Sequence, residues 1–275
     1  MAAQDTVGEL LARGASRLSS QLDAELLLAH ALGLSRVQLK TYPERRVDPQ
    51  AAALFQTLLE RRSEGEPVAY IVGYRDFWTL RLMVDARVLI PRPETELIVE
   101  RALALVLDPA ASVADLGTGS GAIPLALASE RQGWAITATD VSAAALEVAR
   151  TNAQALGARI EFVQGSWFEP LQSRRFNLVT SNPPYIAAGD PALAEANVRY
   201  EPSLALTAGP DGLVALRSII DLAPRHLERH GWLVLEHGMD QAGAVADTLV
   251  GRGFAHVRSH PDLAGHERVT EGQWR

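Results

Sequence analysis

Two textures of hydrophobic spacing divide the chain. From about residue 6 to 64 apolar residues recur at helical intervals: Leu22, Leu26, Leu27 and Leu32 make one stripe, and Ala51, Leu54, Phe55, Leu58 and Leu59 another. Asp48-Pro49 reads as a helix start, a capping carboxylate followed by proline in the first turn. The next segment, EPVAYIVGYRDFWTLRLMVDARVLIPRP, is rich in β-branched and aromatic residues with turn breaks, which predicts one or two hairpins. ETELIVERALALVL predicts a helix with acidic residues in its first turn. Beyond it, strands (SVADL, WAITATD, IEFVQG, FNLVTSN, WLVLEHG) alternate with helices (AIPLALASE, SAAALEVARTNAQAL, LVALRSIIDLAPRHL). That alternation predicts an α/β fold with a mostly parallel, doubly wound sheet. Ligands of such sheets bind beyond the carboxyl ends of the strands.

Composition narrows the classes. At 47% hydrophobic and 21% charged residues the chain is an ordinary globular one, so disorder is excluded. Without cysteine there is neither a disulfide framework nor thiolate chemistry. MAAQDTVGELL lacks the basic-then-apolar layout of a secretory signal, and the most apolar stretches are too short to span a bilayer, so a cytoplasmic location and no membrane partner are expected. The net charge of −7 argues against direct nucleic-acid binding, which needs clustered Lys and Arg. The seven histidines show no metal-ligand spacing; His226 and His230 are four apart but read as an ordinary helix end, and no metal is expected.

The candidate chemistry falls at strand ends. Asp115-Leu-Gly-Thr-Gly-Ser-Gly121 follows a strand and opens a helix, and its glycines allow tight turns and close approach of a ligand. Asp140 ends the next strand, where a carboxylate can accept both hydroxyls of a ribose. The spacing is G-x-G-x-G rather than the dinucleotide G-x-G-x-x-G, and Asp115 would repel a pyrophosphate while suiting an amino group or cation. S-adenosylmethionine, with a sulfonium, an α-amino group and a ribose, matches that set. Finally SNPPYI ends the FNLV strand: two prolines stop it and hold an amide (Asn182) and a ring (Tyr185) rigidly.

With these motifs the chain resembles class I adenosylmethionine-dependent methyltransferases that alkylate planar exocyclic nitrogens. Within that group it is similar to the release-factor glutamine methyltransferases, the PrmC/HemK family. The resemblance rests on EPVAYIVG, LIPRPETE, DLGTGSGAI, SNPPYI, VRYEP, GPDGL and LEHG, with Tyr200 where many relatives carry Phe. It implies a helical N-terminal substrate-recognition domain (1–72), a β-hairpin linker (73–91) and a Rossmann-like seven-stranded methyltransferase domain (92–275). It implies S-adenosylmethionine as cofactor, S-adenosylhomocysteine as product, and as partner a class 1 peptide chain release factor, methylated on the side-chain N5 of the glutamine in its Gly-Gly-Gln loop.

Carried over residue by residue, the resemblance gives Gly117, Thr118, Gly119, Ser120, Gly121 and Asp140 to the cofactor, with Asp115 and Asn182 beside them and Trp167 near the adenine. Asn182, Pro183, Pro184 and Tyr185 form the substrate clamp. In that clamp the Asn182 oxygen and the Pro183 carbonyl each accept one N–H of the substrate amide, and Tyr185 stacks on it. An adenine-N6 or related nucleic-acid amino-methyltransferase is the competing reading, because NPPY serves there too; it predicts a basic face or an added recognition domain. LIPRPETE reads equally as a helix cap or as part of the substrate pocket. Arg92, Glu94, Glu201 and His237 receive no role from the sequence, and PDLAGHERV reads as a hairpin turn.

Overall fold

The computed structural model describes residues 4–194 and 198–275, and the chain divides into two compact units, 1–74 and 75–275. The first unit is helical: α1 (Val7–Leu18), α2 (Gln21–Leu32), α3 (Arg36–Thr41), α4 (Pro49–Ser63) and α5 (Val68–Val72). Thr6, Ser20, Ser35 and Asp48 each cap a helix with a side-chain oxygen, as the sequence leads one to expect at Asp48-Pro49. The α2 stripe differs from the predicted one. Ala24, Leu27 and Leu28 are buried with Leu10, Leu39, Phe55, Leu58 and Leu59, whereas Leu22 and Leu54 are exposed. The apolar residues of α2 are spread around the helix rather than gathered on one face, so spacing alone did not fix which face is buried.

Glu25, also in α2, is buried and ionic. Burial favours its neutral form, but bonds from Arg36, Gln21 and Lys40 outweigh that and hold its pKa down to about 2.

Of the one or two hairpins expected over this segment, one forms. Val68–Val72 forms α5, started after Pro67 and stopped by Gly73 at φ +81°, so its β-branched residues sit in a helical turn. One hairpin follows, β1 (Tyr74–Phe77) and β2 (Leu80–Met83), then α6 (Glu96–Leu105). The rest alternates as read: β3 (Ser112–Leu116), α7 (Ala122–Glu130), β4 (Ala135–Asp140), α8 (Ala143–Leu156), β5 (Ile160–Gln164), β6 (Phe176–Ser181), α9 (Val214–Leu222) and β7 (Leu227–Glu236). The chain closes with α10 (Ala242–Arg252), β8 (Ala255–Pro261) and β9 (Glu267–Gln273), the last two joined by the turn at Asp262. His226 and His230 share no helix, because β7 begins at Leu227.

The sheet runs β5-β4-β3-β6-β7-β9-β8, parallel except for β9, which pairs antiparallel with β7 and β8. Successive residues serve opposite faces: Val113, Leu178 and Val234 join one core with α6 and α7, while Ala114, Val179 and Leu233 join the other with α9 and α10. The chain leaves β3 toward β4 and β5, and returns to place β6 on its other side. The switch point therefore lies between β3 and β6, at the carboxyl ends that carry DLGTGSG and SNPPY.

Candidate active site

Parallel register pairs Asp115 with Thr180 and Leu116 with Ser181, which sets the two motifs side by side. Thr180 Oγ1 donates to Asp115 Oδ1 at 2.8 Å, and Ser181 Oγ donates to the Leu116 carbonyl at 2.7 Å. Asp115 Oδ2 is buried without a partner among the described residues, and burial pushes this carboxyl up to about 7. A buried, half-satisfied carboxyl is poised to receive a cation or an ammonium group.

The glycine turn is left-handed at three points, with φ +69° at Gly117, +56° at Gly119 and +82° at Gly121. A β-carbon on Gly117 would meet the Trp167 ring at 3.1 Å, and one on Gly121 would press on Leu125 and Ala149. One on Gly119 would meet nothing, so there the backbone borders open space. Gly119 N–H donates to Asp140 Oδ2 at 2.9 Å, and Ser142 N–H to Oδ1 at 2.9 Å. Two backbone bonds fix the plane of the Asp140 carboxylate and leave lone pairs on each oxygen; burial nonetheless raises its pKa. Trp167 is held at φ +47°, with its carbonyl accepting from Thr139 Oγ1 at 3.0 Å.

These groups surround a cavity of about 480 Å³. Of the residues expected from sequence, Gly117, Gly119, Asp140, Trp167, Asn182 and Pro184 line it. Asp115, Thr118, Ser120, Gly121, Pro183 and Tyr185 lie off its wall; Thr118 and Ser120 are buried. Val88, Leu89, Pro202, Leu204 and Ala205 also line it, none of them assigned to the site from sequence. Leu89 and Pro202 stand inside LIPRPETE and VRYEP, and the first of these reads from sequence equally as a helix cap or as part of the pocket. A larger cavity, about 850 Å³, opens beside Arg131, Arg159 and Arg174 near the amino ends of β4 and β5, away from every motif.

Asn182 is half-buried, and its Nδ2 donates to Thr95 Oγ1 at 3.0 Å. That bond leaves Oδ1 as the free acceptor. Tyr185 is anchored rather than loose: its hydroxyl donates to buried Glu236 at 3.2 Å, and its carbonyl accepts from Gln241 Nε2 at 3.0 Å. Burial raises the pKa of Tyr185 and pushes the Glu236 carboxyl up to about 7. Buried His237 bonds the Gly238 carbonyl and Thr270 Oγ1, both at 2.8 Å, and burial lowers its pKa. It organises the end of β7 and does not reach the cavity. Arg92 and Glu201 pair at 2.5 Å. Asn152, unremarked in the sequence, donates to the carbonyls of Ser120 and Met83, tying the glycine turn to β2.

The likeness to known proteins is extensive. Residues 9–73 match the PrmC N-terminal domain, and residues 95–199 the methyltransferase small domain. The release factor glutamine methyltransferase of Pseudomonas aeruginosa is 52% identical, over 93% of both chains. The chain belongs to the release factor glutamine methyltransferase family. The member from Xylella fastidiosa is 49% identical over 96% of both chains, and that from Yersinia pestis 48% over 93%. Among solved structures, the catalytic domain of hMettl16 superposes with a TM-score of 0.59 at 18% identity, over 83% of this chain and 82% of that one. A methyltransferase from Pyrococcus furiosus gives 0.54 at 18% identity, over 70% and 87%. At such identities they speak for the fold of this family alone.

Proposed function

We propose that the protein transfers a methyl group from S-adenosylmethionine to the side-chain N5 of the glutamine in the Gly-Gly-Gln loop of a class 1 peptide chain release factor. The observation that carries the reading is the adjacency of two unlike half-sites across the β3–β6 switch point: an unpartnered buried carboxyl beside a glycine turn, and an asparagine with its amide oxygen left free. Family membership favours a protein glutamine over a nucleobase as the planar amine. The helical unit, in this reading, recognises the release factor, and the enzyme works in the cytoplasm; no helix among the described residues is long and apolar enough to cross a membrane.

The residues fit the cofactor. Asp115 Oδ2 offers an acceptor to the α-amino group, the open backbone at Gly119 allows close approach, Asp140 retains lone pairs for ribose hydroxyls, and Trp167 offers a flat apolar surface to an adenine. Bound there, S-adenosylmethionine supplies an electrophilic methyl on a sulfonium.

The chain's own contribution is orientation. An amide nitrogen is a poor nucleophile because its lone pair is delocalised into the carbonyl. Asn182 Oδ1 and the Pro183 carbonyl each accept one N–H of the substrate, which fixes the plane of its NH₂. Both acceptors strengthen as that nitrogen gains positive charge, so they favour the transition state over the ground state. The prolines pre-set the Pro183 carbonyl, and Tyr185 walls the flat amide. No strong base is needed, since the nitrogen becomes acidic as it is alkylated.

The test is methyl transfer from labelled cofactor to purified release factors, with a Gln→Ala change in the Gly-Gly-Gln loop as control. Label is expected on the unaltered factor only. Label on the control, or on nucleic acid instead, overturns the reading.

A further inference from the structure

GPDGL, just before α9, and the stretch that follows LEHG meet at the Tyr185 carbonyl. Pro183 and Pro184 have no N–H, so no donor of their own ties down the middle of the clamp. Its two ends are tied instead. Asn182 is held through Thr95, and Tyr185 through its hydroxyl on Glu236 Oε1 at 3.2 Å. The next residue is held as well: Ile186 N–H donates to the Leu206 carbonyl and Ala208 N–H to the Ile186 carbonyl, both at 2.9 Å. Between these points stands the Tyr185 carbonyl, and its donor is Gln241 Nε2 at 3.0 Å.

Gln241, half-buried, can make this bond in one orientation only. Its Oε1 accepts from the Gly238 N–H at 2.9 Å. A backbone N–H only donates and a carbonyl only accepts, so the two partners fix which end of the side-chain amide faces Tyr185. Flipping it would set oxygen against oxygen and NH₂ against N–H. Gly212 lets the GPDGL turn close on the same bond. At its φ of +73°, a β-carbon would collide with the Tyr185 carbonyl oxygen and stand 2.7 Å from Gln241 Nε2.

We propose that Gln241 is a positioning residue for methyl transfer. By fixing the Tyr185 peptide it sets where the Pro183 carbonyl points and where the Tyr185 ring stands. The proposal rests on the reading that the clamp receives an NH₂ of the substrate. Neither Gln241 nor Gly212 lines the cavity, so neither touches the reacting atoms. With φ of both prolines preset, an error in the Tyr185 peptide is carried back along a stiff segment instead of being absorbed.

Two variants test it. Gln241→Met keeps the length of the side chain and loses both bonds. Gln241→Glu keeps the acceptor for Gly238 but, when ionised, turns an oxygen on the Tyr185 carbonyl. At about pH 8 both should lower kcat on the order of 10–100-fold, the range typical when the support of a functional side chain is removed. Cofactor Kd by calorimetry should be unchanged. Acid should separate the two variants. Protonation gives the Q241E side chain an O–H to donate to the Tyr185 carbonyl, while its other oxygen keeps the Gly238 N–H. Burial and the facing carbonyl raise its pKa, so its kcat relative to wild type at the same pH should climb as the pH falls from about 8 to about 6. The Q241M ratio should stay flat. Independently of turnover, in protein labelled with carbonyl-¹³C tyrosine, the resonance that vanishes in Tyr185→Phe should shift in both variants and return with acid in Q241E alone. Wild-type kcat in both variants, a loss that accompanies weaker cofactor binding, or a Q241E ratio that does not rise with acid overturns the proposal. If the wild type methylates no release factor while the Tyr185 resonance responds as described, the substrate reading falls and the tie from Gln241 to the clamp stands.

Discussion

Glu201 accepts the Arg92 guanidinium through Oε1 at 2.5 Å and the Ile90 N–H through Oε2 at 3.1 Å. One buried carboxylate thus ties the segment after β2 to the loop after Tyr200, and both stretches contribute to one wall of the cavity. Removing Arg92 leaves that carboxylate half-satisfied in a buried place. Arg92→Ala should therefore cost about 2–3 kcal/mol by urea unfolding, below the range for a fully buried pair because the arginine is partly exposed. Cofactor affinity should fall with it. An unchanged midpoint would mean the pair contributes nothing to the wall.

Asn182→Asp keeps the acceptor oxygens but sets a charge beside the cavity and loses the donor to Thr95. We expect a fall in kcat on the order of 10²–10³-fold, as for removal of a pre-organised polar group, with the melting temperature held. Asn182→Ala should fall as far. Full turnover by the alanine variant on its release factor would sink the clamp.

Asp140 is rigidly presented by Gly119 and Ser142. Asp140→Ala should weaken cofactor binding by roughly 10–100-fold, the loss of charged hydrogen bonds worth about 1.5–3 kcal/mol, as read by calorimetry. Turnover at saturating cofactor should change far less.

The Asp115 carboxyl gives a pH dependence with a definite sign. Its pKa is raised from 3.8 to about 7, chiefly by burial, with the neighbouring Asp140 charge adding and the nearby Thr118 and Thr180 hydroxyls opposing. A carboxyl so raised takes up a proton on folding, so its contribution to stability is complete below 3.8 and is lost as the pH climbs toward 7. Ligand-free protein should lose stability over that window, and Asp115→Asn should flatten the loss. A bound ammonium favours the charged form, so cofactor binding near pH 7 should release protons, visible as a buffer-dependent calorimetric heat that D115N abolishes.

Glu25 carries the opposite sign. Its folded-state pKa of about 2 lies below the ordinary 4.5, so its contribution is present at neutral pH and drains away as the pH falls from 4.5 toward 2. Glu25→Gln should destabilise the helical unit by about 2 kcal/mol at pH 7 and much less near pH 2, followed by helical circular dichroism.

Periodicity and turn chemistry made the sheet, its helices and the two strand-end motifs legible, because each is dictated locally. What stayed illegible depends on contacts between distant segments. Leu22 and Leu27 are equally apolar, and only the packing of α1, α4 and the shorter helices on α2 decides that one is exposed and the other buried. EPVAYIVG has strand composition, yet Gly73 closes it as a helical turn. At the site, Asn182 and Asp140 stand in motifs with a chemical reason of their own. Thr95 acquires its own only when the chain brings it, 87 positions away, against Asn182, and no spacing rule connects the two.

The reversal of strand order between β3 and β6 has an evolutionary consequence. The groups suited to a nucleoside and an ammonium stand on β3 and β4, while those suited to a planar amide stand on β6 and β7. The halves are laced by a backbone ladder and by the Ser181 hydroxyl on the Leu116 carbonyl, which need no knowledge of what either half holds; Thr180 alone reaches across to a side chain of the other half, Asp115. Donor recognition can stay frozen while acceptor recognition drifts, so one sheet can host new substrates by rewriting only its right-hand strands.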